Sequence, residues 1–136
     1  MFTIFPHTAD AGLRVEAEDR ETLFADAGRG LFSLLVSNLD DIQPNVRREI
    51  TVAGDDLEYL FFDWLSELLF VFEQEHLLLS QFDVSLQKGG LRGITWGEQI
   101  DRERHRLEHE IKAITYHNLQ VKRTDHGWIA EVIVDI

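Results

Sequence analysis

The run from Leu57 to Glu75 sets the first constraint on the fold. Leu60, Phe61, Trp64, Leu65, Leu68, Leu69 and Phe72 recur at helical spacing, and together they make a face too broad to be covered from one side. A helix so widely apolar has to be buried between partners. A second amphipathic helix is predicted from Arg20 to about Val36, on Leu23, Phe24, Ala27, Leu31, Leu34 and Leu35. Asp19 suits its N-cap, and Glu21 puts a negative charge in the first turn, where the helix dipole favours one. Gly28 and Gly30 cost helix propensity and mark close packing against a sheet. Asp55, with Glu58 three residues on, reads as the capped start of the longer helix.

The other segments alternate as strands do. Phe2 to Phe5 is a short strand closed by Pro6, and Leu13, Val15 and Ala17 alternate with Arg14, Glu16 and Glu18. Ser37 to Asn45 is a loop, and Arg47 to Ala53 a third strand. Leu77 to Leu86 and Leu91 to Ile100 flank Lys88-Gly89-Gly90 as a hairpin. Arg102 to Glu110 is a polar connection. Ala113 to Lys122 and Trp128 to Val134 then flank the turn Thr124-Asp125-His126-Gly127. Two strands, a helix, a strand, a helix and four strands favour an α+β fold. We expect antiparallel or mixed β-sheets with two main helices packed against them, in one domain over residues 1–136.

Charge narrows the partners. With 13 Lys and Arg against 25 Asp and Glu, the net charge is -12, and such a surface does not track phosphates. No strong direct binding to nucleic acid is expected. Arg102, Arg104 and Arg106 are interleaved with Glu103, Glu108 and Glu110, so their local field is weak. The chain has no Cys, which removes disulfides and thiolate metal sites. No apolar run is long enough for a bilayer and no signal peptide opens the chain, so a cytoplasmic protein without membrane contact is expected.

Candidate chemistry gathers at the closing strand. It runs straight out onto Asp135 and Ile136, so the Asp135 carboxylate and that of Ile136 lie a few ångströms apart and repel unless a cation or donors stand between them. Asp10 lies on a loop or strand end beside His7. Taken singly, each acid reads as a solvated or backbone-bonded residue. Taken together, Asp10, Asp135 and the Ile136 carboxylate form an all-oxygen set suited to Ca²⁺, Mg²⁺ or Mn²⁺. His7 is a marginal addition. Strand alternation puts Lys112, Ile114 and Tyr116 on one face, with Ala113, Thr115 and His117 on the other. Lys112 has the reach for a phosphate or carboxylate and His117 the chemistry of a general base, although a solvated lysine and a hydrogen-bonded strand histidine are the plainer readings. Gly97, Glu98, Asp101 and His105 form a further polar cluster, and His105 and His109 are i,i+4 without a helical apolar face to support a metal pair. The phosphate loop, the Gly-x-Ser-x-Gly elbow and His-Glu-x-x-His are absent from the sequence.

Read in order, several of these segments together resemble the archease family. They are His7-Thr8-Ala9-Asp10-Ala11-Gly12, Glu21-Thr22-Leu23-Phe24, Asp63-Trp64-Leu65-Ser66-Glu67-Leu68-Leu69, Gly97-Glu98 with His105, Ile111-Lys112-Ala113-Ile114-Thr115-Tyr116-His117, and Asp135-Ile136. The resemblance covers the whole chain and departs from the family at Ala11, where a larger aliphatic is common, and in the stretch from Gln87 to Arg92. It implies a non-enzymatic accessory protein that helps an RtcB-type RNA-splicing ligase in tRNA splicing and RNA repair, promoting ligase guanylylation and multiple turnover. It also implies a divalent cation held by Asp10, Asp135 and the Ile136 carboxylate, with His7, Lys112 and His117 on the same functional surface. A general chaperone with a structural metal and a metal-dependent hydrolase are the alternatives.

Overall fold

The computed structural model describes residues 1–7 and 10–136; Thr8 and Ala9 of the opening motif lie outside the described residues. Chain order is β1 (Phe2–His7), β2 (Asp10–Ala17), α1 (Arg20–Leu35), a short 3-10 turn at Leu39–Asp41, β3 (Val46–Ala53) and α2 (Leu57–Glu75). It continues with β4 (Leu77–Gln87), β5 (Gly90–Gln99), β6 (Ala113–Ile114), β7 (Gln120–Thr124) and β8 (Gly127–Asp135). Two antiparallel sheets form. One runs β1-β2-β8-β6, with β7 also paired to β8, and the other runs β3-β5-β4. The α+β architecture expected from the pattern is the one present.

The helices lie between the two sheets, and α1 shows why. Successive helical residues advance by about 100°, so Gly28 and Gly30 face roughly opposite ways. A methyl added at Gly28 would meet the Phe82 ring of β4 at 2.9 Å, and one at Gly30 would meet Leu13 of β2 at 2.5 Å. Each glycine thus lets one sheet approach the same helix. Helix α2 is buried along Leu60, Phe61, Trp64, Leu65, Leu68 and Leu69, as its broad apolar face requires. Trp64 is fully buried, and its indole N–H donates to the Phe24 carbonyl of α1 at 2.9 Å. The far edge of the same ring covers Gly93 of β5, where an added methyl would sit 2.5 Å from it. Trp64 therefore ties α2 to the other helix and to a sheet at once.

Four local expectations are corrected. Pro6 does not end β1; it sits inside that strand opposite Ala11, at the sheet edge, where a missing N–H costs no ladder bond. Strand β2 begins at Asp10, not at Leu13. The side-chain cap of α2 is Asp56, whose carboxylate accepts from the N–H groups of Glu58 and Tyr59; it is not Asp55. The strand predicted from Ala113 to Lys122 is broken into β6 and β7 by a turn at residues 115–119. There the Ile133 carbonyl accepts from both the N–H and the hydroxyl of Thr115. The Thr115 hydroxyl oxygen in turn accepts from the His117 N–H, and Asn118 takes a left-handed φ of 55°.

Replacing Trp64 with Phe removes the buried bond to Phe24 and opens space over Gly93. The expected loss is about 2–3 kcal/mol in denaturant unfolding. An unchanged midpoint would show that Trp64 does not join the layers.

Candidate functional site at the β2–β8 end

The pairing of β2 with β8 sets Asp10 opposite Asp135, Gly12 opposite Ile133 and Arg14 opposite Glu131. On the other side of β2, His7 of β1 is opposite Asp10, and on the other side of β8, Ala113 of β6 is opposite Asp135. One rung therefore reads His7, Asp10, Asp135, Ala113 across four strands. Directly opposed residues share a face, with Cβ atoms about 4.5–5.5 Å apart. The two aspartates are thus adjacent on the face turned away from the helices, and Ile136 follows at once. Asp10, Asp135 and Ile136 are all part-exposed. The far end of the same face is neutralised: Arg14 reaches Glu131 at 3.2 Å and lies over the Phe5 ring at 4.9 Å. That pair is four residues along the strand, roughly 13 Å away, so it does not reach the Asp10–Asp135 rung.

The remaining sequence-predicted residues surround this rung. His7 Nδ1 lies 3.6 Å from the Asp10 carboxylate, too long for a hydrogen bond. That nitrogen is shielded from solvent and has no hydrogen-bond partner among the described residues. His117 meets His7 ring to ring at 5.3 Å, because the 115–119 turn carries it back toward β1. Lys112 is exposed; its backbone N–H donates to the Asp135 carbonyl at 2.7 Å, and its side chain makes no ion pair among the described residues. Among the described residues no three His, Asp or Glu side chains converge closely enough to hold a metal. The rung offers two opposed carboxylates, with Ile136 next in the chain, and oxygen donors are the kind that a hard dication takes.

A part-buried network holds the segment that leads to this end. Glu98, at the end of β5, is 4% exposed, and its carboxylate accepts from the Gln43 N–H at 2.5 Å and pairs with Arg104. Arg104 also binds Asp101 at 3.0 Å. His105 is buried, with Nε2 3.0 Å from the Glu98 carboxylate. The Asp101 N–H donates to His105 Nδ1 at 2.9 Å, which leaves the ring proton on Nε2, beside Glu98. His105 is therefore a structural residue, and the i,i+4 spacing to exposed His109 brings no second ligand. Burial pushes the Glu98 carboxyl up, but the Arg104 guanidinium and the Gln43 N–H outweigh it and hold it below the usual carboxylate range. Further along, the N–H groups of Glu108 and His109 donate to the carbonyls of Leu35 and Leu34. Residues 98–112 are thus strapped to the end of α1 and deliver Lys112 to Asp135.

One feature lay outside the sequence reading. Tyr116 stacks on Phe62 of α2 at 3.9 Å and meets Tyr59 edge-on at 5.8 Å. The available signal was Tyr59, Phe62 and Asp63 at i, i+3 and i+4 on the flank of α2.

The Archease protein family model matches residues 2–136. The archease of Methanopyrus kandleri is 42% identical over 134 residues, covering 96% of this chain and 95% of that protein. That of Pyrococcus furiosus is 39% identical over 137 residues, covering 97% and 96%. The solution structure of Methanobacterium thermoautotrophicum protein 1598 superposes with a TM-score of 0.87 at 32% identity, covering 99% of this chain and 98% of that one. The crystal structure of a Thermotoga maritima protein described as an archease and possible chaperone shares the fold at a TM-score of 0.65 and 18% identity, covering 100% of this chain and 98% of that one.

Because the Glu98 carboxyl is held low in the folded chain, its stabilisation is complete above the unfolded value of about 4.3 and is lost as pH falls through the folded value. Glu98→Gln should lower stability at neutral pH by about 1–3 kcal/mol and flatten the acid limb of the stability profile. An acid limb identical to wild type would contradict this role.

Proposed function

Because the chain belongs to the archease family, we propose that it is a non-enzymatic accessory protein activating an RtcB-type RNA-splicing ligase in tRNA splicing and RNA repair. It promotes guanylylation of the ligase and its multiple turnover, and it acts through the β2–β8 end. The observation that carries this reading is the register of Asp10 with Asp135. Asp10, Asp135 and the Ile136 carboxylate would hold a divalent cation: Ca²⁺, Mg²⁺ or Mn²⁺. When bound, the cation supplies positive charge for phosphate oxygens.

The chain's own part is to position. Two ladders fix the carboxylates, so docking them into a partner's nucleotide site costs little ordering entropy. His7 and His117 border the rung, and Lys112 carries the positive charge nearest to it in sequence. The charge of -12 steers the protein toward a basic face, which is what a ligase that binds RNA and nucleotide presents. The Thermotoga maritima archease is described as a possible chaperone, which supports a second reading, a binding module with a structural metal.

A guanylylation assay with purified ligase tests the first reading. Asp10→Ala should bring stimulation down to the rate of ligase alone while its metal-free thermal midpoint stays near wild type. One residue added after Ile136 should weaken stimulation in the same direction. Full stimulation by Asp10→Ala would rule out the role of this end, and product formed from RNA and GTP without ligase would favour a hydrolase.

A further inference from the structure

The 115–119 turn separates two neighbouring side chains. His117 is directed to His7 of β1, and Tyr116 is directed the other way, onto α2. Between that turn and the start of α2 lies an open groove of about 590 Å³, lined by Asp56, Glu58, Tyr59, Tyr116 and Leu119. Phe62, outside that lining, stacks on one face of Tyr116 at 3.9 Å and holds the ring in place. Tyr59 and Tyr116 are each 58% exposed; among the other Phe, Tyr and Trp side chains described, only Phe70, at 55%, is comparably open. Among the described residues no basic side chain lines the groove. One oxygen of Asp56 caps the helix and one of Glu58 accepts from the Val121 N–H at 3.1 Å, so each carboxylate keeps an oxygen for another donor.

Exposed aromatic faces beside carboxylates, with no cation of their own, complement a planar cation. A guanidinium stacks on a tyrosine ring and donates sideways to a carboxylate in one pose, which a compact ammonium does less well. An aromatic platform also stacks nucleobases, but the acidic rim repels the phosphates that would come with them.

We propose that this groove docks an arginine-bearing segment of a basic partner protein, with the guanidinium against Tyr116 and Tyr59 and paired to Asp56 or Glu58. The proposal deepens the accessory reading and rests on it only in taking the partner to be a protein. Because Tyr116 and His117 are consecutive, a partner engaged at the Asp10–Asp135 rung has this groove beside it.

The test is a titration of the intact protein, at physiological salt, with an end-blocked Gly-Arg repeat peptide, following the ring resonances of Tyr59 and Tyr116 by NMR. Lysine and citrulline versions of the peptide, and a single-stranded oligouridylate, serve as the other probes. Saturable shifts confined to the groove are expected with the arginine peptide, weaker ones with lysine and none with citrulline or RNA. Tyr116→Ala and Tyr59→Ala, each checked for a native amide spectrum, should weaken binding roughly five- to ten-fold. Asp10→Ala should bind the peptide as wild type does, so loss of the cation site and loss of the groove are read separately. Equal binding of the citrulline peptide, unchanged affinity in both tyrosine variants, or tyrosine shifts caused by the RNA would overturn the proposal.

Discussion

The antiparallel register of β2 with β8 is the constraint on which the rest depends. It joins a strand near the start of the chain to the strand at its end, and it settles two faces together. On the helix side it aligns Leu13 with Val132, Val15 with Ala130 and Ala11 with Val134, and all six are buried. On the other side the same register opposes Asp10 and Asp135. A slip of one residue would turn the core set into water and bring charged residues under α1. The accuracy of the candidate site is therefore inherited from the core, whose hydrophobic burial supplies far more free energy than the carboxylates lose by being neighbours.

Two further devices complete that end of the sheet. The Glu98–Arg104–His105 network, with the bonds from Glu108 and His109 to the last turn of α1, leads a long irregular segment along a fixed path. Irregular backbone of this length is unusual in a small domain, and here its polar groups are taken up by side chains and by helix carbonyls. The 115–119 turn then splits the closing hairpin's first strand. Without it Tyr116 and His117 would simply lie on opposite faces of one strand; with it they border two different surfaces.

Much of the fold was legible in the sequence because it is governed by local periodicity. Helix α2 was read from Leu57 to Glu75 as found, since its apolar repeat is long and uninterrupted. The hairpin of β4 and β5 followed from alternation around Gly89-Gly90. Asp55 and Asp56 are both acceptable caps in composition, and only the helix's entry geometry chooses Asp56. The break at Thr115 was illegible because its cause is a carbonyl on another strand, that of Ile133, with Asn118 as the sole local hint. The same limit applies to the site. Asp10 and Asp135 are ordinary acids until a non-local pairing opposes them; residue chemistry suggested one oxygen set, and the family resemblance implied the same ligands. The aromatic contact of Tyr116 with Phe62 and the burial of His105 depend on tertiary placement and left almost no trace in spacing.

We propose that a cation binds across the β2–β8 rung and not diffusely over an acidic surface. The direct measurement is paramagnetic broadening of backbone amide resonances as Mn²⁺ is added in small steps at physiological salt. Binding across the rung predicts that signal is lost first at His7, Asp10, Asp135 and Ile136 and later with distance from them, so that Glu131, roughly 13 Å along β8, outlasts these four. Broadening that appears together at scattered acidic residues, or first at a rung other than Asp10–Asp135, would contradict it.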